Sequence, residues 1–293
     1  MKIIKSIDDL RSQLIGQHRI AFVPTMGHIH DGHLSLIKLA KLHGDPVICS
    51  IFVNPLQFSQ DEDFDRYPRS LSSDIVKLEN EGIYVLFVPD IIEMYPQQQE
   101  FHVSTPKNLG SHLEGEYRPD FFTGVTTIVL KLFQCIEPQV AVFGKKDYQQ
   151  LLIIRKMCKQ FFINTTIIAA ETIRDQDGLA LSSRNSYLKK SERLKAPFLY
   201  KCLVDASESI IKLNSTKELD NSSLLEIEKN TELALLNEGW RTDYVRIRKQ
   251  ENLEIPTNLD LKNQTNLVIL AASRLGSTRL IDNLEVSLEN RFL

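Results

Sequence analysis

Short apolar runs alternate with longer amphipathic stretches along the first half of the chain. Each run is apolar at consecutive positions and rich in β-branched residues, which is typical of a buried strand. We predict strands over residues 20–23, 46–54, 83–88, 140–143 and 165–170. The stretches between them have apolar residues at helical spacing. They predict helices over residues 6–16, 74–80 and 123–136, in the segment ending at Gly44, and in the segment that carries Leu151, Ile154 and Cys158.

Strands that are apolar throughout, separated by helices, indicate a parallel sheet covered on both faces. Residues 1–172 are therefore expected to form a doubly wound, Rossmann-like α/β domain. The pattern changes after residue 172, and residues 173–293 are expected to form a smaller α+β domain with a hinge at 173–177. Its predicted helices cover 197–213 and 223–238, and its predicted strands cover 243–248, 267–272 and 279–286.

Composition narrows the class of protein. The chain has 293 residues, which fits two domains. A net charge of −3 argues against a general nucleic-acid or anionic-membrane binder, which needs a basic excess. No run approaches the roughly 18 apolar residues of a membrane span, and the N-terminus lacks the apolar core of a signal peptide. We expect a cytoplasmic protein whose four cysteines are reduced.

The densest chemical signal is the turn between the first strand and its helix, PTMGHIHDGH. It holds Gly27, Gly32 and three of the seven histidines, His28, His30 and His33. A helix N-terminus presents unpaired N–H groups and suits phosphate, and glycine lets the backbone approach an anion. A protonated imidazole could donate hydrogen bonds to phosphate oxygens as charge builds up. The alternative is that these are ordinary turn histidines.

Other polar residues follow later strands. Gln57 follows the second strand, and Gly144, Lys145, Lys146 and Asp147 lie between the fourth strand and its helix. Lysine can hold a phosphate as a point charge, while an amide can donate to a carboxylate and accept from a hydroxyl. Ligands of parallel sheets bind beyond the carboxyl ends of the strands, so these residues and the histidines are expected to converge. A charged β–α loop and a strand-end cap are the alternatives.

A third segment, LSSRN, follows the predicted hinge and contains Ser182, Ser183 and Arg184. Two hydroxyls and a guanidinium can bind several phosphate oxygens at once. On a separate domain, such a loop could close over a nucleotide and exclude water. The alternative is a polar turn without a ligand.

Several of these segments resemble one known family. His30-Asp31-Gly32-His33 resembles the HIGH signature of the nucleotidyl-transferase superfamily, and the fuller PTMGxxHxGH is similar to the pantothenate synthetase family. FVNPLQF, GKKD and LSSRN resemble that family's FVNPxQF, GxKD and MSSRN, and the terminal STRLIDN resembles its last strand. LSSRN is also similar in role to the KMSKS loop of class I aminoacyl-tRNA synthetases. The resemblance runs nearly end to end.

The resemblance implies an AMP-forming ligase of pantothenate and coenzyme A biosynthesis. Pantoate and ATP would give pantoyl adenylate and pyrophosphate, and β-alanine would then give pantothenate and AMP. It further implies a homodimer, a second domain acting as a lid, and Mg²⁺ as the companion of ATP.

The resemblance also implies roles for particular residues. The catalytic set would be His30, His33, Lys146 and Arg184. Pantoate and β-alanine would contact Gln57 and Gln150, with Asn54 as a lesser candidate. Asp74 would help to hold Mg²⁺, with helix capping as its alternative role. The ATP site would consist of Met26, Gly27, His28, Ile29, His30, Asp31, Gly32, His33, Gly144, Lys145, Lys146, Asp147, Ile173, Leu181, Ser182, Ser183 and Arg184.

The chain departs from the family pattern at a few positions. The family's RPGHF is RPDFF here, so Asp120 and Phe121 replace a glycine and a histidine. His28 stands where a small or amide residue is usual, and Leu181 replaces methionine. No role of the family's histidine is therefore carried over to this chain.

Four other functions are compared with this interpretation. A metal hydrolase could use His28 and His30, but it would need further histidines at later strand ends, and none follows residue 112. A nucleotidyl transferase making a dinucleotide-like product would have little use for the FVNPLQF segment. A module that senses ATP would bind it without releasing pyrophosphate. A tRNA synthetase is disfavoured because the chain lacks a basic excess.

Overall fold

The computed structural model describes residues 1–59 and 62–289. The chain divides into two compact units, Met1–Ile173 and Arg174–Leu293. No helix in these described segments is both long enough and apolar enough to cross a bilayer.

The first unit is built on a six-stranded parallel sheet with the order β1-β4-β3-β2-β5-β6. The strands are β1 (Lys2–Ile4), β2 (Ala21–Thr25), β3 (Val47–Ile51), β4 (Val85–Phe87), β5 (Val140–Gly144) and β6 (Thr166–Ala170). The helices are α1 (Ile7–Leu14), α2 (Asp31–His43), α3 (Leu71–Asn80), α4 (Ile91–Met94), α5 (Lys107–Gly110), α6 (Glu114–Tyr117), α7 (Phe121–Ile136) and α8 (Tyr148–Gln160).

Both faces of this sheet are buried. Successive side chains of a strand point to opposite faces, so Phe22 lies in one hydrophobic core and its neighbours Ala21 and Val23 lie in another. Helices α1, α7 and α8 cover the first face, and α2 and α3 cover the second. This arrangement confirms the predicted doubly wound parallel fold.

The strand order creates a switch point between β2 and β5. The chain runs outward from β2 through β3 to β4, whereas β5 pairs with the other side of β2 and is followed by β6. The loops that leave the carboxyl ends of β2 and β5 therefore diverge and leave a crevice, the usual ligand position in open α/β sheets. The turn with the histidines follows β2, and the Gly-Lys-Lys-Asp segment begins at Gly144, the last residue of β5.

The second unit is an α+β fold around one antiparallel sheet with the order β7-β8-β9. Leu203, Ile210 and Trp240 are buried in its core together with the inward face of the sheet. Its strands are β7 (Arg241–Lys249), β8 (Leu267–Leu275) and β9 (Thr278–Val286), and its helices are α9 (Lys190–Lys195), α10 (Phe198–Thr216), α11 (Asn221–Asn237) and α12 (Asn258–Lys262).

Strand β1 and the short helices α4, α5, α6, α9 and α12 were not predicted from the sequence pattern. Strand β1 is the one among them that belongs to the parallel sheet. It has three residues and pairs only with β4 at the edge of the sheet. A run this short carries too little periodicity to be recognised as a strand. The predicted strand over 46–54 is also shorter in the structure, because the chain leaves the sheet after Ile51 and turns at Pro55–Gln57.

Candidate active site

The turn after β2 brings the histidines to the N-terminus of α2. Gly27 and His28 both have left-handed backbone conformations, with φ of 86° and 53°. Glycine adopts this conformation freely, whereas a histidine there is strained by roughly 1 kcal/mol. Two successive left-handed residues reverse the chain sharply, so that Ile29 is buried and His30 becomes the N-cap of the helix.

His30 and His33 form a stacked pair. Their ring centroids lie 4.0 Å apart, with an angle of 29° between the ring planes. The backbone N–H of His30 donates to Nδ1 of His33 at 3.4 Å, so the proton of the neutral His33 ring lies on Nε2. Among the described residues, Nδ1 of His30 is buried without a hydrogen-bond partner. The pair thus offers ring nitrogens to a ligand.

Both imidazoles are neutral in the free protein at pH 7. Burial, reinforced by the positive charge of Lys146, lowers the pKa of His30 to about 4. Burial, followed by the charges of His30 and Lys146, holds the pKa of His33 well below 6.5. The protonated imidazole expected from sequence is therefore absent before a ligand binds, and each ring acts as a neutral donor. The influence of Lys146 on both rings also means that the β2 and β5 loops converge.

The β5 loop supplies two lysines that differ in their surroundings. Lys145 forms an ion pair with Glu171 at 2.6 Å, which turns it towards β6. Lys146 lies within the short 3-10 segment Lys145–Asp147 and acts on the histidine pair. A Cβ on Gly144 would meet the protein only at ordinary contact distance, 3.9 Å, so packing does not require this glycine. Asp147 is exposed, while Gln150 on the first turn of α8 is half-buried.

Asn54 and Gln57 lie at the two ends of the short turn that follows β3, but they differ in how fully their side chains are hydrogen-bonded. Asn54 donates to the Gly124 carbonyl and to Gln57 Oε1, both at 3.1 Å, and accepts from the Tyr95 hydroxyl at 2.7 Å. These bonds fix the turn. Among the residues that the structure describes, the one acceptor for Gln57 Nε2 is the thioether of Met26 at 3.0 Å, a weak acceptor that a substrate oxygen could replace.

Residues 118–122, where the sequence departs from the family pattern, are hydrogen-bonded to the turn that contains Gln57. Arg118 donates to the backbone carbonyl of Gln57 at 3.2 Å and to Glu62 at 3.0 Å. Its guanidinium lies 3.6 Å from the centroid of the Phe121 ring, so the substituted aromatic residue makes a cation–π contact. Asp120 adopts φ 62° at the N-cap of α7, a conformation that a glycine would adopt without strain.

Asp74 is buried beneath the histidine turn, 1% exposed, and accepts hydrogen bonds from the backbone of His28 and Ile29. Over the described residues, no cluster of three or more His, Cys, Asp or Glu side chains could hold a metal ion. The role of Asp74 as a Mg²⁺ ligand stays a prediction. In the structure its carboxylate accepts hydrogen bonds from N–H and O–H groups of the protein. Sequence reasoning missed Ser70 and Lys77, which also contact this turn, because their spacing from the histidines has no local signature.

Of the remaining predicted residues, Asp31 and Gly32 begin α2, and Ile173 is the last residue of the first unit and is partly exposed. The others belong to the second unit. Ser182 caps a 3-10 turn, Ser183–Tyr187, by accepting from the backbone N–H of Arg184 at 3.3 Å. Asn185 is bonded to the preceding segment, because its side-chain amide donates to the Ala180 carbonyl at 3.0 Å. The loop is thus an ordered turn, and Ser183 is buried within it.

A family model described as pantoate-beta-alanine ligase matches residues 2–285, nearly the whole chain. The chain belongs to the pantoate–β-alanine ligase family. The family resemblance read from the sequence motifs is thereby confirmed.

Solved structures of this family agree with the match. The pantothenate synthetase of Thermus thermophilus is 37% identical, with a TM-score of 0.88, over 98% of this chain and 100% of that one. The pantoate–β-alanine ligase of Francisella tularensis, described as complexed with beta-gamma ATP and β-alanine, is 35% identical, with a TM-score of 0.78, over 97% of each chain.

Proposed function

We propose that this chain condenses pantoate with β-alanine at the expense of ATP, giving pantothenate, AMP and pyrophosphate. The observation that carries the proposal is the nearly full-length match to pantoate–β-alanine ligases, one of them described as complexed with beta-gamma ATP and β-alanine. The site supports it independently, because His30, His33 and Lys146 converge at the switch point where α/β sheets bind nucleotides.

The first step is adenylation. A carboxylate oxygen of pantoate attacks the α-phosphorus of ATP, and the bond from that phosphorus to the pyrophosphate oxygen breaks. Charge builds up on the phosphate oxygens, so the protein's task is positioning and charge stabilisation. Neutral His30 and His33 donate N–H groups, and Lys146 supplies the positive charge. The α2 N-terminus and Gly27 and Gly32 let the backbone approach the phosphates.

The second step is acyl transfer. The neutral amine of β-alanine attacks the carbonyl carbon of pantoyl adenylate, AMP leaves, and the amine loses a proton as the amide forms. No side-chain nucleophile is needed. Gln57 exchanges its weak bond to Met26 for a substrate hydroxyl or carboxylate, and Gln150 completes this end of the site. Asn54 supports Gln57 through the bond to Oε1.

Three parts of the proposal rest on family membership alone. Ser182, Ser183 and Arg184 bind ATP phosphates from the second unit, which acts as a lid together with residues Ile173 and Leu181. The protein works as a homodimer in the cytoplasm. Mg²⁺ accompanies ATP and offsets its charge. Light scattering on the purified protein tests the dimer, and omission of Mg²⁺ from the assay tests the requirement for the cation.

A coupled assay of AMP release, with each substrate omitted in turn, tests the reaction. AMP should form only when ATP, pantoate and β-alanine are all present. AMP release without pantoate would point to an ATP hydrolase, and ATP binding without any product would point to a sensing module. If activity is retained when a nucleotide acceptor replaces β-alanine, the nucleotidyl-transferase alternative is favoured.

A further inference from the structure

We infer that Asp74 is a positioning residue that holds the histidine turn in its active shape, instead of a ligand to Mg²⁺. The inference rests on the proposed function and deepens it. It starts from one face of α3, where Asp74 and Lys77, together with Ser70 at the helix N-cap, all bond to the turn after β2. Positions separated by three and four residues lie on the same side of a helix.

The oxygens of Asp74 are already engaged. Oδ2 accepts the backbone N–H of His28 at 2.8 Å, and Oδ1 accepts the backbone N–H of Ile29 at 2.9 Å. Oδ1 also accepts the Ser70 hydroxyl at 3.0 Å. An ionised carboxylate has about four acceptor positions, so three are used within the protein. Bonds of this kind, with a charged acceptor, are stronger than neutral ones.

These bonds act on a segment whose backbone conformation is strained. The left-handed conformation at His28 persists only if neighbouring groups enforce it. Asp74 binds the N–H groups of His28 and Ile29, and Lys77 donates to the Ile29 carbonyl at 2.6 Å. Ile29 is thus held from α3 through both its N–H and its carbonyl. A Cβ on Gly27 would lie 3.3 Å from Asp74 Oδ2 and 3.0 Å from Ile51, so glycine permits the close approach.

A directly bound Mg²⁺ does not fit these surroundings. Mg²⁺ demands six oxygen ligands in near-octahedral geometry. The Asp74 side chain is almost completely buried, and its contacts are hydrogen-bond donors, which would compete with a cation for its oxygens. Lys77 adds a positive charge one turn further along α3, beside the same segment. The described part of the chain offers no set of three acidic, histidine or cysteine side chains around Asp74.

The test compares Asp74→Asn with Glu79→Gln, which removes a carboxylate from an exposed position of the same helix. An asparagine can accept only one of the two backbone bonds well, since its NH₂ group would face the other N–H. For Asp74→Asn we expect kcat for pyrophosphate release to fall at least about tenfold. The Mg²⁺ concentration for half-maximal activity should change less than about twofold. Glu79→Gln should behave as the unsubstituted protein.

Amide hydrogen exchange provides a readout that does not need activity. Exchange at His28 and Ile29 should accelerate at least about tenfold in Asp74→Asn, with α8 unchanged. If Asp74→Asn does not fold, Lys77→Met serves as the second variant, because it keeps every carboxylate. It should lower kcat and speed exchange at the amides of His28 and Ile29. The Mg²⁺ requirement should not change. The inference is wrong if the Mg²⁺ constant rises about tenfold, if kcat is unchanged, or if exchange at the two amides is unaffected.

Failure of the inference can be told apart from failure of the proposed function. The unsubstituted protein tests the function through AMP release, whereas the exchange measurement tests the turn even in a protein without that activity. A metal ligand would shift the Mg²⁺ constant and leave the amide exchange alone, and a positioning residue would do the reverse.

Discussion

The two loops proposed to bind ATP are held in opposite ways. The histidine turn is fixed from outside, because α3 bonds to its backbone through Asp74 and Lys77. The Ser182 loop is fixed from within, by the bond from Arg184 N–H to Ser182 and by the bond from Asn185 to the nearby Ala180 carbonyl. A loop that is bonded to another element depends on that element for its shape, whereas a loop that is capped by its own residues keeps its shape through local bonds.

The largest effect is expected at the histidine turn and its partner lysine. His33→Ala or Lys146→Ala should lower pyrophosphate release by roughly 10²–10³-fold or more, because each removes a donor or charge aimed at the phosphates. Circular dichroism should show an intact fold. Pyrophosphate release at the native rate from either folded variant would exclude that residue from the mechanism.

Acid should weaken the histidine turn and not the second unit. The pKa of His30 is about 4 in the folded protein and 6.5 ordinarily, so the unfolded chain binds the extra proton between these values. Stability therefore falls as the pH drops from about 6.5 to about 4, by roughly 3 kcal/mol for this group alone. Urea denaturation at several pH values measures the change. His30→Asn should remove the part that comes from His30 and leave the part that comes from the lowered pKa of His33.

The second unit has no histidine to produce this acid effect, since all seven precede residue 113. Burial raises the pKa of its Glu228, which the folded state therefore protonates more readily than the unfolded one. Glu228 thus acts in the opposite sense, adding stability as the pH falls through its raised pKa. If acid speeds local hydrogen exchange equally in both units, the predicted difference in their acid stability is wrong.

Ser182→Ala is expected to have a smaller effect. It removes one N-cap bond to the Arg184 backbone, which is worth about 1 kcal/mol of local stability. The KM for ATP should rise about fivefold to tenfold while the stability of the first unit stays the same. Thr257→Ala, a cap substitution elsewhere in the same unit, serves as the control because it should cost similar stability without changing the KM.

The smallest effect is expected at the departure from the family pattern. Asp120→Gly should raise stability by about 0.5–1 kcal/mol, because φ 62° suits glycine and the Asp120 side chain makes no capping bond. Thermal denaturation measures the gain. Phe121→Ala should instead destabilise by about 1 kcal/mol through loss of the cation–π contact with Arg118.

The sequence was sufficient for the parts of the fold that repeat a local pattern. Uniformly apolar strands predicted the parallel sheet, and Gly44 correctly marked the end of α2. The convergence of His33 and Lys146 followed from the rule that parallel strands share their carboxyl ends. These inferences needed only periodicity and topology.

The sequence could not reveal what depends on tertiary register. Asp74 lies 46 residues from His28, and nothing in its local pattern indicates that both oxygens meet the turn backbone. The neutral state of the imidazole pair arises from burial and from Lys146, both consequences of the packed fold. The accommodation of Phe121 beneath Arg118 likewise depends on a contact formed only in three dimensions.

The central claim is that one crevice holds ATP and pantoate together so that an adenylate forms. Rapid-quench measurement of pyrophosphate, with ATP and pantoate but no β-alanine, tests it most directly. The account predicts a burst of about one pyrophosphate per active site, with AMP released only after β-alanine is added. Absence of the burst from a folded, ATP-binding protein, or an equal burst without pantoate, would contradict it.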